Sequence, residues 1–234
     1  MFIIPVKFVD GLLPTLEKTI DLINKFHPQE KIIIVDSFSD DDSYLMEVSN
    51  KQNILIFEEK NKDYPPGAFA KVLLKYPDEK FYCLIHDNMS LKKPLNDYLY
   101  NDVQFYSFYD SRSNHDVTKL WGRSSIGIVN FDIYNYAKEI FEGTKYKPLR
   151  SGSLVPYHQF VIKNKLAKIL IKSGVLNRVK VDHKTQDNAW ERIFAMIFEQ
   201  ENYSPSKYHI AAGIYGTDQN SQNNFFEKTY GGRI

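Results

Sequence analysis

Residues 32–43, IIIVDSFSDDDS, indicate the fold class most clearly. Four consecutive apolar residues, Ile32 to Val35, are typical of a strand that helices cover on both faces. The dense run of turn formers and helix caps after them indicates that the strand ends in a polar turn. Apolar runs at 2–8, 54–57 and 81–85 predict further strands, and helices are predicted between strands at 12–26 and 66–76.

This alternation of strands and helices predicts an α/β fold, with a mostly parallel central sheet flanked by helices. In the second half we expect strands at 103–109 and 125–131 and helices at 133–141, 157–173 and 188–201, followed by a loop or mobile tail after Tyr203. With 234 residues and no evident linker, the chain is expected to form a single domain over 1–234.

The charges are nearly balanced, with 30 basic and 29 acidic residues. This balance argues against a nucleic-acid-coating protein. The single cysteine, Cys83, cannot form a disulfide within the chain, and the sequence has no apolar run of about 18 residues, so we expect a cytoplasmic protein. Residues 163–180 are basic and apolar by turns, which leaves open either peripheral contact with an anionic membrane or an ordinary surface helix.

Ligands of open parallel sheets bind beyond the carboxyl ends of the strands. Three polar clusters follow predicted strands and should therefore share one edge: Pro5–Asp10, Asp36–Asp42 and His86–Asn88. Asp36 ends a buried strand, where its carboxylate could accept hydrogen bonds from a uracil or ribose, or could simply hold the turn. The next three aspartates, 40 to 42, are expected to be turn and cap residues.

Three stretches, IIPVKF (3–8), IIIVDSFSDDDS (32–43) and FYCLIHDNMSL (81–91), resemble in order and spacing the glycosyltransferases of the GT-A class. The resemblance covers about residues 1–130 and, more loosely, the helix at 187–201. It implies a Rossmann-like GT-A fold and transfer of a sugar from a nucleotide sugar, most often a UDP-sugar, to a glycan, lipid-linked saccharide or other hydroxyl acceptor. Residues 1–100 would form the donor half, and residues 101–234 the acceptor half and the tail.

The resemblance also implies Mn²⁺ or Mg²⁺ at the donor diphosphate. The family's Asp-x-Asp metal motif corresponds here to His86-Asp87-Asn88, which has a single carboxylate, so the need for a metal stays open. A divalent ion would stabilise the charge that develops on the leaving diphosphate. Asp87 is the main candidate ligand, and His209 is a second candidate by position only.

Other donor contacts are predicted at Pro5, Asp36 and Ser37. Arg123, within WGRSSIG (121–127), could bind the diphosphate because a guanidinium suits phosphate oxygens, although a surface salt bridge is equally compatible with the sequence.

An inverting transferase needs a carboxylate that accepts the acceptor's proton. The segment QDNAWERIF (186–194) offers Glu191, which we favour, and Asp187, which could instead cap the helix. Trp190 beside Glu191 could stack on a sugar. Tyr157, His158 and Gln159 are candidates to line the acceptor site, and each could equally be structural.

Two alternatives stay open. A sugar nucleotidyltransferase is disfavoured because PVKFVDGLLP (5–14) contains one glycine instead of a glycine-rich loop. A catalytically degenerate module that binds carbohydrate or nucleotide is compatible with the incomplete metal motif. A dehydrogenase or P-loop enzyme is disfavoured because neither glycine motif is present.

Overall fold

The computed structural model describes residues 1–100, 105–107, 115–116, 119–124, 127–152, 154–155, 158–203 and 225–228. The strands are β1 (Phe2–Val6), β2 (Ile32–Asp36), β3 (Ile54–Ile56), β4 (Phe81–Leu84), β5 (Met89–Leu91), β6 (Phe105–Ser107), β7 (His115–Asp116), β8 (Lys119–Ser124), β9 (Gly127–Asp132), β10 (Ser151–Gly152), β11 (Phe160–Lys163) and β12 (Phe226–Lys228). The helices are α1 (Leu13–Phe26), α2 (Tyr44–Ser49), α3 (Tyr64–Lys75), α4 (Asn96–Leu99), α5 (Ile133–Phe141), α6 (Asn164–Ser173) and α7 (Lys184–Gln200), with a 3-10 helix at Val175–Arg178.

The central sheet has six strands in the order β3-β2-β1-β4-β11-β6. Strands β1 to β4 run parallel to one another, whereas β11 is antiparallel to both of its neighbours, β4 and β6. The predicted mostly parallel α/β sheet is therefore confirmed. Since parallel strands need crossover connections, α1 and α3 lie in the links around the sheet.

Alternate residues of the strands face two separate apolar cores. On β1, Phe2, Ile4 and Val6 face a core that includes the buried side of α1. Ile3 faces the opposite core, to which α3, α6 and α7 contribute. The sheet is covered on both faces, which explains why its strands are apolar at consecutive positions.

The predicted helix at 157–173 is wrong in its first part. Phe160–Lys163 forms β11, and α6 begins only at Asn164. The short apolar run FVIK fits either structure locally, and its pairing with β4 and β6 selects the strand. In α6 the apolar residues Leu166, Ala167 and Leu170 are buried in the protein core.

The second half also contains a hairpin that the sequence pattern indicated only in part. Strand β9 spans 127–132 and overlaps the strand predicted at 125–131, and β8, which pairs with it, was not predicted. The sequence of β8 does not show a regular strand pattern, because it contains Gly122 and the charged residues Lys119 and Arg123. In the part of the chain that the structure describes, no helix is long and apolar enough to cross a membrane.

Candidate functional site

The three polar clusters meet at the carboxyl edge of the parallel strands, as expected. Val6 at the end of β1 pairs with Asp36 at the end of β2. On its other side β1 pairs with β4 through Phe2↔Cys83 and Ile3↔Leu84, and the turn that carries His86 and Asp87 follows the end of β4. Since neighbouring strands lie about 4.8 Å apart and β1 lies between β2 and β4, the ends of β2 and β4 are separated by roughly 10 Å.

A cavity of about 260 Å³ lies at this edge. Eight residues line it, and they come from five separate segments: Pro5 near the end of β1 and Lys7 just after it, Ser37 after β2, Tyr64 and Pro65 at the start of α3, His86 and Asp87 after β4, and Lys184 at the start of α7. The cavity therefore brings together Pro5, Ser37 and Asp87, which were predicted as site residues, and His86, which precedes Asp87. Lys7, Tyr64 and Lys184 were not singled out from the sequence.

Asp36 stabilises the turn that carries Ser37 into the cavity. Its carboxylate is 2% exposed, and it accepts hydrogen bonds from the Tyr44 hydroxyl at 2.9 Å and from the Ser39 backbone N–H at 3.1 Å. The Ser39 hydroxyl in turn accepts from the N–H of Phe8 at 2.8 Å. These bonds fix the turns after β1 and β2 to each other, so Asp36 acts here through the position of its neighbours.

Asp41 and Asp42 bind partners in or beside their own loop. Asp41 accepts a hydrogen bond from the Ser43 N–H at 2.8 Å, and Asp42 lies 2.9 Å from the ammonium of Lys60. Asp41 therefore has the turn role expected from the sequence, whereas none of these aspartates caps α2, whose N-cap is Ser43.

The pKa of the Tyr44 hydroxyl is sensitive to the negative charge of the site. Burial raises the pKa of its hydroxyl, and the carboxylates of Asp36 and Asp87 raise it further. The hydroxyl therefore stays protonated and continues to donate to Asp36. Its ring stacks on Phe8, with the two centroids 4.6 Å apart.

Asp87 is 2% exposed and lines the cavity. The hydroxyl of Thr19, on α1, donates to the Thr15 carbonyl at 3.0 Å and lies 3.4 Å from the carbonyl oxygen of Asp87, so the turn after β4 packs against the helix.

The residues described at this site do not fit a resident divalent metal. Within the described ranges, no group of three or more histidine, cysteine, aspartate and glutamate side chains could hold one. His86 and Asp87 are the lining residues of ligand type, and they share the cavity with Lys7 and Lys184. A cavity with two ammonium groups and one carboxylate suits a bound anion better than a cation. His209 lies outside the described residues.

The first turn of α7 contains a buried charge cluster. Asp187 is 1% exposed, and its carboxylate contacts the ammonium of Lys184 and lies 3.0 Å from Nε2 of His158. Burial opposes ionisation of Asp187, but attraction to His158 and then to Lys184 outweighs it and holds the pKa of that carboxyl below its usual range. Because α7 begins at Lys184, Asp187 lies within the first turn and is not the predicted cap.

Glu191 lies farther from the cavity than Asp187. It is half-buried and follows Lys184 by seven residues, which is roughly 10 Å along the helix axis. The predicted sugar-stacking role of Trp190 is wrong, because the ring is fully buried and packs 5.2 Å from the ring of Phe194. The helix is buried on most sides, and this is why its aromatic residues serve the core.

The remaining predicted residues come from the second half of the chain. His158 and Gln159 precede β11 and are buried, and the side-chain amide of Gln159 has no hydrogen-bond partner among the described residues. Arg123 lies on β8, but its side chain falls outside the described part of the structure, as does Tyr157.

Three of the five non-glycine residues with positive φ in the described part of the chain lie at or beside the cavity. Phe38, Tyr64 and His158 have φ values of 60°, 54° and 53°, a left-handed conformation that side chains other than glycine adopt rarely. Tyr64 lines the cavity, Phe38 follows Ser37, and His158 contacts Asp187. Such strain is frequent at functional sites.

A larger depression, of about 640 Å³, lies at the opposite edge of the sheet. Residues 29–31 and 75–80 line it, and these segments precede β2 and β4. Its charges are mixed and partly paired, with Lys31 and Glu79 2.7 Å apart. We favour the smaller cavity as the site, because ligands of such sheets bind at the carboxyl ends of the strands.

No protein-family model matches the chain, and no curated protein matches it. Similar solved structures include 4-diphosphocytidyl-2C-methyl-D-erythritol synthase from Anaerococcus prevotii, with 13% identity, 98% of this chain and 90% of that chain covered, and a TM-score of 0.47. Residues 1–349 of S. aureus TarS show 13% identity, 72% of this chain and 48% of that chain covered, and a TM-score of 0.40.

Glucosyl-3-phosphoglycerate synthase from Mycobacterium tuberculosis, solved with Mn²⁺, UDP-glucose and phosphoglyceric acid, shows 14% identity, 86% of this chain and 79% of that chain covered, and a TM-score of 0.40. The chain spans about half the length of the TarS structure and most of the other two. At these identities and TM-scores, the function has to be inferred from the geometry of the site.

Proposed function

We propose that the protein is a glycosyltransferase that uses a nucleotide sugar, with UDP as the favoured nucleotide. The observation that carries this proposal is the cavity at the carboxyl edge of the sheet, which combines the ammonium groups of Lys7 and Lys184 with the buried carboxylate of Asp87. A nucleotide sugar presents a diphosphate beside a neutral sugar, and both kinds of group find partners there.

The positive charges favour the diphosphate. Lysine ammonium groups form charge-assisted hydrogen bonds with phosphate oxygens. Helices α3 and α7 both begin at the cavity, with Tyr64 and Lys184, and the start of a helix carries a partial positive charge. The diphosphate therefore binds between Lys7 and Lys184 in this proposal, and no step requires a metal ion.

The nucleoside is placed along the turns after β1 and β2. The cavity of about 260 Å³ is below the usual size range of ligand pockets, roughly 300–1,000 Å³. It can enclose the diphosphate and part of the sugar, so the base and ribose would extend over Pro5 and Ser37. Asp36 would support this contact by holding the turn.

Asp187 is the proposed catalytic base, in preference to Glu191, because it lies nearer the cavity and contacts a residue that lines it. The acceptor hydroxyl oxygen forms a bond to the anomeric carbon while the bond from that carbon to the diphosphate oxygen breaks. The bonding pair leaves with the nucleoside diphosphate, and the hydroxyl proton passes to the Asp187 carboxylate. Attack opposite the leaving group inverts the anomeric centre.

Several parts of the account rest only on the sequence or on the resemblance. They are a Mn²⁺ or Mg²⁺ requirement with Asp87 and His209 as ligands, a phosphate contact from Arg123, a glycan or lipid-linked acceptor, and a cytoplasmic protein with peripheral membrane contact. The described side chains at the cavity do not fit a resident metal, so metal dependence is a separate question for experiment.

A donor-hydrolysis screen tests the proposal. The purified protein is incubated with UDP-, GDP- and CDP-sugars, with Mn²⁺ or with a chelator, and release of the nucleoside diphosphate is measured. We expect slow hydrolysis of at least one sugar nucleotide. Binding without any hydrolysis would favour the degenerate module, and release of pyrophosphate from a nucleoside triphosphate and a sugar phosphate would favour a nucleotidyltransferase.

Two isosteric variants then separate the candidate bases. Asp187→Asn should lower transfer to an acceptor by about 100-fold or more, the usual contribution of a general base. Glu191→Gln is the matched control on the same helix and should retain transfer within about threefold. The opposite ranking would assign the base to Glu191.

A further inference from the structure

We propose that Lys184 is shared between Asp187 and the donor diphosphate, so that donor binding draws Lys184 away and releases Asp187 to accept the acceptor's proton. This inference rests on the proposed function. It adds an order of events, because the base becomes available only after the donor occupies the cavity. Lys184 would then bind the leaving group and, by moving away from Asp187, make the base available.

The geometry places Lys184 between Asp187 and the site assigned to the diphosphate. Its ammonium contacts the Asp187 carboxylate, and the residue also lines the cavity beside Tyr64, His86 and Asp87. The Tyr64 ring lies near the same ammonium, with 5.8 Å between the nitrogen and the ring centroid. One lysine nitrogen is therefore within reach of the base and of the site assigned to the diphosphate.

The two partners of Asp187 differ in mobility. His158 is almost fully buried and lies 3.0 Å from one carboxylate oxygen, whereas the Lys184 side chain is 60% exposed and contacts the other. A long exposed side chain can change conformation at small cost, and a buried imidazole cannot. When the contact with Lys184 is lost, Asp187 therefore still lies beside His158, and its second carboxylate oxygen is able to accept a proton.

Charge gives the direction of the change. A diphosphate carries more negative charge than a carboxylate and offers more acceptor oxygens, so it competes effectively for an ammonium group. While Lys184 contacts Asp187, the carboxylate is held ionised and weakly basic. When the contact is broken, Asp187 loses its ammonium partner and becomes a stronger base.

Thermodynamic reciprocity makes the coupling measurable without catalysis. If diphosphate binding weakens the contact between Lys184 and Asp187, breaking that contact must strengthen diphosphate binding by the same factor. Asp187→Asn should therefore tighten the binding of UDP and of inorganic pyrophosphate, because it leaves Lys184 available to the ligand.

The test is a double-mutant cycle measured by titration calorimetry with UDP and with pyrophosphate, at fixed salt. Lys184→Met should weaken binding about tenfold, and Asp187→Asn should tighten it about fivefold, within the usual range of coupling between sites. In the Lys184→Met background, Asp187→Asn should have no effect. Lys180→Met is the matched control, since Lys180 is exposed, pairs with Asp182 and does not line the cavity.

Each outcome bears on one idea. If neither ligand binds the wild-type protein, the proposed function fails. If both bind but Asp187→Asn leaves affinity unchanged or lowers it, the sharing of Lys184 is refuted while the donor site stands. An equal tightening in the Lys184→Met background would also refute it, because general loss of negative charge would then explain the effect.

A second measurement tests the proposal if Asp187→Asn does not fold, since Asp187 is a buried partner of His158. In wild-type protein labelled with ¹³C at the lysine ε position, the Lys184 signal is assigned by its absence in Lys184→Met. It should shift when pyrophosphate binds. An unshifted signal at saturating pyrophosphate would overturn the proposal.

Discussion

Tyr44→Phe tests whether the buried hydrogen bond to Asp36 holds the turn beside the cavity. The change removes one hydroxyl, which is buried and donates to the Asp36 carboxylate at 2.9 Å, and it keeps the ring that stacks on Phe8. Asp36 then keeps the Ser39 N–H as its donor, with the Lys60 ammonium 3.9 Å away. The carboxylate stays charged and buried but loses a partner.

The expected loss in the free energy of unfolding is about 2 kcal/mol, since hydrogen bonds to charged groups contribute roughly 1.5–3 kcal/mol. For a chain of this size that corresponds to a decrease of about 4–8 °C in the unfolding midpoint. Urea denaturation followed by circular dichroism measures the change. Since Asp36 positions Ser37, the affinity for UDP should also fall.

Tyr100→Phe is the control, because its hydroxyl donates to Glu30 at the same distance, 2.9 Å, from a residue that is 54% exposed. Water can replace that partner, so we expect a loss of about 0.5 kcal/mol. Equal losses in the two variants would refute the idea that burial makes the Tyr44 bond important.

Two further predictions concern stability. Gly67→Ala should lower the free energy of unfolding by about 2 kcal/mol, because the new Cβ would lie 2.4 Å from the Cβ of Asp63, and urea denaturation would show whether the helix tolerates it. Burial lowers the pKa of His27 to about 4, and its neutral Nε2 accepts from the Leu95 N–H at 3.1 Å. The folded state thus binds fewer protons than the unfolded state, and stability should fall by about 2–3 kcal/mol as pH drops from about 6.5 to about 4. His27→Gln should flatten this dependence, and an unchanged profile would assign it to another group.

The sheet could be predicted from the sequence because its strands are short continuous apolar runs with helices of clear period between them. The rule that parallel strands end at one edge then placed Asp36 and Asp87 near each other, although 51 positions separate them in the chain. β11 was harder, since four apolar residues fit a helix or a strand and only pairing with distant β4 distinguishes the two.

The details of the site were less predictable. Lys184 precedes the predicted helix start at 188, so no pattern marked it as a site residue, and its importance depends on contacts made in three dimensions. The pairing of Asp187 with His158 joins segments that are far apart in sequence. Trp190 was misassigned because the helix period shows which residues share a face but does not show that α7 is buried on most sides.

A crystal structure of the protein with UDP tests the central claim most directly. The account predicts the diphosphate in the cavity at the carboxyl edge, with phosphate oxygens about 3 Å from the ammonium groups of Lys7 and Lys184. UDP bound in the depression beside Lys31 and Glu79, at the other edge of the sheet, would contradict it.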